Sequence, residues 1–191
     1  MVKWIVGFLL VATVIAVPLA YKREKHTRLR NFRVVDEGRL YRSGQLSPAG
    51  LEQVCRERGI RTVIKLREAS EKEKDQKIDE AEAAFCRDHG IAFHRRIPLD
   101  WEVDPAGKVP AEANLRWFES LLDDEAAAPK PILVHCFAGI HRTGAMVVAY
   151  RMKVNGWSND EAVGEFVDCG YSTSTYVGNI LPYLRSYRPK P

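Results

Sequence analysis

The sequence predicts an α/β domain with a central, mainly parallel sheet flanked by helices, carried behind an N-terminal transmembrane helix. Three observations predict it. From residue 31 onward, short apolar runs of strand length alternate with capped helical segments. Pro131-Ile132-Leu133-Val134-His135 is continuously apolar, the pattern of a strand covered on both faces. Trp4 to Tyr21 is a run of eighteen residues without a charge, close to the hydrocarbon thickness at helical rise.

A buried core helix would show a polar face, and the Trp4–Tyr21 run has none. A cleaved signal peptide is the competing reading, with Lys3 as its basic start and Ala20 near a cleavage site. Two features argue for an uncleaved anchor. Pro18 occupies a position that wants a small residue, and Lys22, Arg23, Lys25, Arg28, Arg30 and Arg33 follow the run directly. Such a basic cluster stays cytoplasmic. The expectation is therefore a single-pass membrane protein, with residues 1–30 as anchor and basic stretch and residues 31–191 as one cytoplasmic domain.

Along that domain, Phe32–Val35 and Arg39–Arg42 read as two strands around an Asp-Glu-Gly turn. Ser47-Pro48 opens a helix as cap and first residue, and Gly59 closes it. Ile60–Leu66 is a strand; Ser70 and Glu73 form a capping box for a helix ending at Gly90; Ile91–Ile97 is a further strand. A Pro-, Asp- and Gly-rich loop from Pro98 to Pro110 precedes a helix over Ala111–Leu122, with Leu115, Phe118, Leu121 and Leu122 on one side. The apolar strand ending at His135 leads to a helix that starts at Arg142-Thr143-Gly144 and stops before Gly156. Ser158 and Glu161 cap another, and a last helix spans Ser174 to Tyr187.

The composition, 46% hydrophobic and 28% charged, excludes wholesale disorder. The net charge of +4 resides in the basic stretch, and the remainder is slightly acidic, so nothing points to a nucleic-acid partner. Cys55, Cys86, Cys136 and Cys169 have long, irregular spacings with no C-x-x-C pair, which excludes a zinc ribbon or a dithiol redox motif. Reduced thiols are the simpler expectation, with Cys55 and Cys86 as small core residues.

The chemistry concentrates in His135-Cys136-Phe137-Ala138-Gly139-Ile140-His141-Arg142-Thr143-Gly144. Strand, loop and helix in that order make an anion-binding geometry. Ala138 and Gly139 are small enough for the backbone to curl and aim successive N–H groups at one point, and the helix adds the positive end of its dipole. Arg142 at the far end can grip a phosphoryl group with two parallel hydrogen bonds. An electropositive bowl around Cys136 favours the thiolate, the nucleophilic form.

Cys136, five residues, Arg142 and Thr143, with His135 before and Gly144 after, match the C-x5-R-[S/T] signature, and the chain resembles the protein tyrosine phosphatase superfamily. Within it the chain is similar to the dual-specificity phosphatases, especially the atypical plant-and-fungal group and its bacterial relatives. The segments Leu40-Tyr41-Arg42-Ser43-Gly44-Gln45 and Gly59–Leu66 extend the resemblance, which covers about Asn31 to Tyr187. It implies the cysteine-dependent phosphatase fold, hydrolysis of phosphomonoesters, and no cofactor or metal ion. It also implies roles. Cys136 attacks phosphorus; the amides of Phe137, Ala138, Gly139, Ile140, His141 and Arg142, with the Arg142 side chain, bind the phosphoryl oxygens; Thr143 bonds the sulfur and eases its departure; His135 orients the loop from below. A general acid comes from an aspartate of the Pro98–Pro110 loop, Asp100 in preference to Asp104, because Asp100 follows Ile97-Pro98-Leu99 directly.

One position departs from the plant-and-fungal pattern. Ile140 stands where that group has lysine, which removes a charge associated there with inositol polyphosphates, although His141 can contribute. The expected substrate is a phosphorylated protein, or a membrane-proximal phospholipid or inositol phosphate. Two other classes compete. A catalytically silent phosphate-binding module is opposed by the joint presence of Cys136, Arg142 and Thr143, and a rhodanese-like sulfur transferase by the His-Arg-Thr-Gly ending.

Overall fold

The computed structural model describes residues 28–67, 73–172 and 179–190, together with Val14. The rest of the Trp4–Tyr21 run, the Ser70 cap and residues 174–178 of the last expected helix lie outside the described residues. Among the described residues no helix is long and apolar enough to cross a membrane.

Five strands and six helices follow in order: β1 (Arg33–Asp36), β2 (Leu40–Ser43), α1 (Pro48–Arg58), β3 (Thr62–Lys65), α2 (Glu73–Asp88), β4 (Ala92–Arg95), α3 (Glu112–Asp123), β5 (Ile132–His135), α4 (His141–Lys153), α5 (Asn159–Asp168) and α6 (Ile180–Ser186). The sheet order is β1-β2-β5-β3-β4. Only the β1–β2 hairpin is antiparallel; β2, β5, β3 and β4 run parallel, so the sheet is mixed with a parallel centre.

Local chemistry sets the helix ends as the sequence suggests. The Ser47 side chain accepts from Gly50 N, Pro48 occupies the first turn, and Gly59 ends α1 at φ 61, a left-handed conformation that glycine adopts without a Cβ clash. Ser158 and Glu161 complete a reciprocal capping box on α5.

Alternation along the strands sorts the core into two layers. Leu40, Ile64, Ile132 and Val134 face α3, α4, α5 and α6, while Tyr41, Val63 and Leu133 face α1 and α2. Each fully buried Leu, Ile or Val contributes about 1.5–3 kcal/mol relative to exposure. Cys55 and Cys86 belong to the second layer, where burial pushes both thiols up to about 12, and all four cysteines are free. Residues 28–30, which the sequence places in the basic stretch, pack on the domain: Leu29 joins the second layer and Arg30 O accepts from Gly44 N at 2.7 Å.

The register has one consequence for function. Ser43, Lys65 and His135 lie side by side at the carboxyl ends of β2, β3 and β5. In an open parallel sheet that is the edge where ligands bind.

Candidate active site

Cys136 follows β5 directly and is 4% exposed. The chain then turns through four residues into α4, whose N-terminus has no side-chain cap, leaving its first amide groups and the positive dipole end directed at the turn. Gly139 makes the turn possible. Its φ is 74, and a Cβ there would lie 2.5 and 2.6 Å from the carbonyl carbon and oxygen of Ser43. Gly44 answers from the opposite side, where a Cβ would lie 2.9 Å from Phe137 O and 3.0 Å from Ala138 O.

Each carbonyl of the turn accepts a hydrogen bond, the first three from outside it and that of Ile140 from the following helix as well as from Arg42 Nη2 at 3.4 Å. Phe137 O accepts from Gln45 N at 3.0 Å, Ala138 O from Asn31 Nδ2 at 2.8 Å, Gly139 O from Arg42 Nη2 at 2.8 Å, and Ile140 O from Gly144 N at 2.8 Å. Peptide planes whose carbonyls point outward present their N–H groups to the inside of the curl. Gly139 N shows the result, donating to Cys136 Sγ at 3.3 Å.

Two of these braces were not singled out as site residues by sequence reasoning. Asn31 sits at φ 46, a left-handed conformation that Asn tolerates, and reaches 107 residues along the chain to Ala138. Arg42 is 2% exposed, and burial lowers its pKa against the opposing influence of Cys169 and Glu165. A charged residue inside an otherwise apolar strand was the available signal.

Behind the nucleophile lies a buried ionic cluster. His135 Nε2 stands 2.7 Å from Glu82 Oε1, at ion-pair distance though out of hydrogen-bond alignment. Lys65, fully buried, bonds Glu82 Oε2 at 2.6 Å and Asp79 Oδ1 at 2.5 Å, and Arg95 Nη2 lies 3.4 Å from Asp79 Oδ2. Burial alone would raise the Glu82 pKa; His135 first, then Lys65, overcome it and hold the carboxyl at about 2.

Arg142 is half-buried and lines a shallow cleft with Leu66, Pro98, Leu99 and Trp101, so the aspartate loop borders the bowl. Asp104 is committed to its own turn. Its Oδ1 accepts from Ala106 N at 2.9 Å and Lys108 N at 2.8 Å, and its backbone bonds Lys108 and Gly107. Asp100 is exposed, and among the described residues its side chain accepts from Glu102 N, at 3.0 Å. Thr143 is fully buried, and its Oγ1 has no hydrogen-bond partner among the described residues; the sulfur's donor is Gly139 N instead.

At the lip, Phe137 is 51% exposed, with the guanidinium carbons of Arg30 and Arg67 at 4.2 and 5.3 Å from its ring centroid. His141 packs edge-on against Tyr171 at 5.6 Å, and burial followed by Arg142 lowers its pKa. It is therefore a poor source of the positive charge that the sequence reading allowed it. Among the described residues no cluster of His, Cys, Asp or Glu could hold a metal ion.

A cysteine at the base of a curled turn, between a buried parallel strand and an arginine-bearing helix, sits here on an α/β phosphatase fold. The sequence profile of a family described as "DSP-PTPase phosphatase fused to NAD+ kinase" matches residues 16–173, and the chain belongs to that family. It is 32% identical over 127 residues to inositol diphosphatase DSP1 of Oryza sativa, an alignment covering 66% of this chain and 51% of the rice protein. The chain thus spans about half the length of that relative. Its fold is that of the Saccharomyces cerevisiae Siw14 catalytic core (TM-score 0.62, 19% identity, 84% of this chain and 87% of that one) and of Pseudomonas aeruginosa TpbA (0.62, 20%, 83% and 85%).

Proposed function

We propose that the chain hydrolyses phosphomonoesters through a phosphocysteine on Cys136. The observation that carries this reading is the outward anchoring of the carbonyls from Phe137 to Ile140 together with the Gly139 N–H on Cys136 Sγ, an arrangement that favours inward amides around the sulfur before any substrate arrives. Such fixed donors stabilise charge that develops on the phosphoryl oxygens without reorganising during the reaction. Cys136 Sγ attacks phosphorus and the ester P–O bond breaks, with Arg142 holding two of the phosphoryl oxygens. Asp100 gives a proton to the leaving oxygen, then takes one from the water that cleaves the P–S bond, releasing phosphate and the thiolate. Its single local bond leaves it free for that task, whereas Asp104 is occupied. The unpartnered Thr143 hydroxyl is the donor available to the departing sulfur.

A phosphorylated protein side chain is one substrate class. An inositol phosphate or phosphoinositide is the second, supported by the rice relative's name and by Arg30 and Arg67, which place at the lip the charge that Ile140 does not supply. The Trp4–Tyr21 run with its basic sequel is proposed as a membrane anchor for residues 1–30, keeping the domain cytoplasmic. Eight residues separate Tyr21 from Arg30, at most about 30 Å of extended chain, so an anchored active site stays near the bilayer and membrane-borne substrates.

The test is turnover of an aryl phosphate by the full chain in detergent, with a chelator present. Hydrolysis blocked by vanadate and lost in Cys136→Ser is expected; undiminished turnover in that variant contradicts the mechanism. Phosphopeptides, phosphoinositides and inositol phosphates assayed side by side decide between the substrate classes.

A further inference from the structure

We infer that Glu82, in α2, is a positioning residue that brackets the nucleophile from both sides. On one side its Oε1 lies 2.7 Å from Nε2 of His135, the residue before Cys136. On the other its Oε2 accepts from Gln45 Nε2 at 3.2 Å, and Gln45 N holds the carbonyl of Phe137, the residue after Cys136, at 3.0 Å. One carboxylate thus reaches both neighbours of the sulfur, one directly and one through a single residue.

The surroundings suit a fixed carboxylate. Glu82 is 5% exposed and borders a cavity of about 40 Å³ whose lining is mostly apolar, with Leu46, Leu51, Ile78 and Phe85 beside Gln45 and Ser47. In a setting of that kind the interactions among charges are strong and the geometry is narrow. Lys65 engages Glu82 Oε2 from below, and Asp79 balances Lys65 and Arg95. A glutamine at position 82 can keep one oxygen for Lys65 and Gln45, but it turns an NH2 group instead of a carboxylate oxygen toward His135 Nε2 and removes the charge that Lys65 and His135 face. His135 is in turn fixed through its backbone, with Leu66 N donating to its carbonyl at 2.8 Å. Glu82 is left to set the orientation of the imidazole and, with it, the exit of the chain into Cys136.

This inference rests on the phosphatase reading. The experiment compares wild type, Glu82→Gln, Asp79→Asn and His135→Asn on an aryl phosphate, with melting temperature measured alongside. Asp79→Asn disturbs the same ionic cluster without touching either arm of the bracket. E82Q is expected to lower kcat about tenfold or more with KM within about twofold, while D79N loses comparable thermal stability and keeps kcat within about twofold. In the H135N background, E82Q is expected to add little to the loss, because both act through one path. An E82Q enzyme no slower than D79N, or losses that multiply with H135N, would overturn the inference. Should E82Q fail to fold, Gln45→Met cuts only the Phe137 arm, and a several-fold fall in kcat without a change in KM is expected; an unaltered kcat overturns the inference equally. A wild-type chain without turnover contradicts the underlying phosphatase reading instead, so the two failures are distinguishable.

Discussion

The turn after β5 has each carbonyl from Phe137 to Ile140 bound by another part of the chain, whereas the Pro98–Pro110 loop across the cleft is bonded mostly to itself. Residues from the β1 approach, β2 and the β2–α1 corner converge on the first. The second is tied to the fold at its ends, where Asn114 Nδ2 holds Ile97 O at 3.0 Å and Ala111 N holds Asp100 O at 2.8 Å, while its middle carries Val103 at 66% exposure. The difference matches two chemical tasks. Charge stabilisation is most effective when the donors are already in place, but a proton donor must meet leaving groups of different shapes. The proposed phosphate bowl and the proposed acid thus lie on separately braced segments.

The contrast can be broken most severely at its centre. Cys136→Ser is expected to reduce turnover by at least about three orders of magnitude, because the hydroxyl is not ionised at neutral pH and is a poor nucleophile. Gly139→Ala comes next. The added methyl meets Ser43 backbone at 2.5–2.6 Å at a positive φ, and we expect a loss of about 10²-fold in kcat, measured on folded protein checked by circular dichroism. On the loop side of the comparison, Asp100→Asn is expected to lower kcat about 10²-fold for alkyl phosphates, which need a proton, and much less for activated aryl phosphates. Asp104→Asn should instead relax a turn and cost about 1 kcal/mol or less of stability with little change in rate. Equal, small effects of the two substitutions would remove both from the acid role.

The smallest expected effect concerns pH and stability. Glu82 is held at about 2 in the folded chain against an ordinary value of 4.5, so its ionised form binds the fold better than its protonated form. That stabilisation is fully present above pH 4.5 and is lost as pH falls toward 2. Denaturant titrations between pH 6 and pH 3, expected to show a steeper decline for wild type than for E82Q, check the sign; parallel declines would contradict it.

Much of this architecture is written locally. The apolar run ending at His135, the caps at Ser47 and Ser158, and the string from Cys136 to Gly144 each depend on neighbours in sequence, so periodicity and spacing exposed them. The parts that sequence reading missed as site residues depend on partners brought together by the sheet. Arg42 meets Gly139 97 residues away, Asn31 meets Ala138 across 107, and Glu82 meets Lys65 and His135 only because α2 packs beside the β3 and β5 ends. A buried charge in an apolar strand, as at Arg42 and Lys65, signals that a partner exists but does not say which one. The choice between Asp100 and Asp104 was unresolvable from spacing alone, since what separates them is the hydrogen bonding of their side chains.

In the proposed mechanism, phosphoryl groups pass through the Cys136 sulfur. Acid-quenching the Asp100→Asn chain during turnover and mapping its peptides by mass spectrometry tests this most directly. One phosphoryl group on the peptide containing Cys136, absent from Cys136→Ser, is the predicted result. Turnover with no phosphorylated cysteine, or with the label on another residue, would contradict the account.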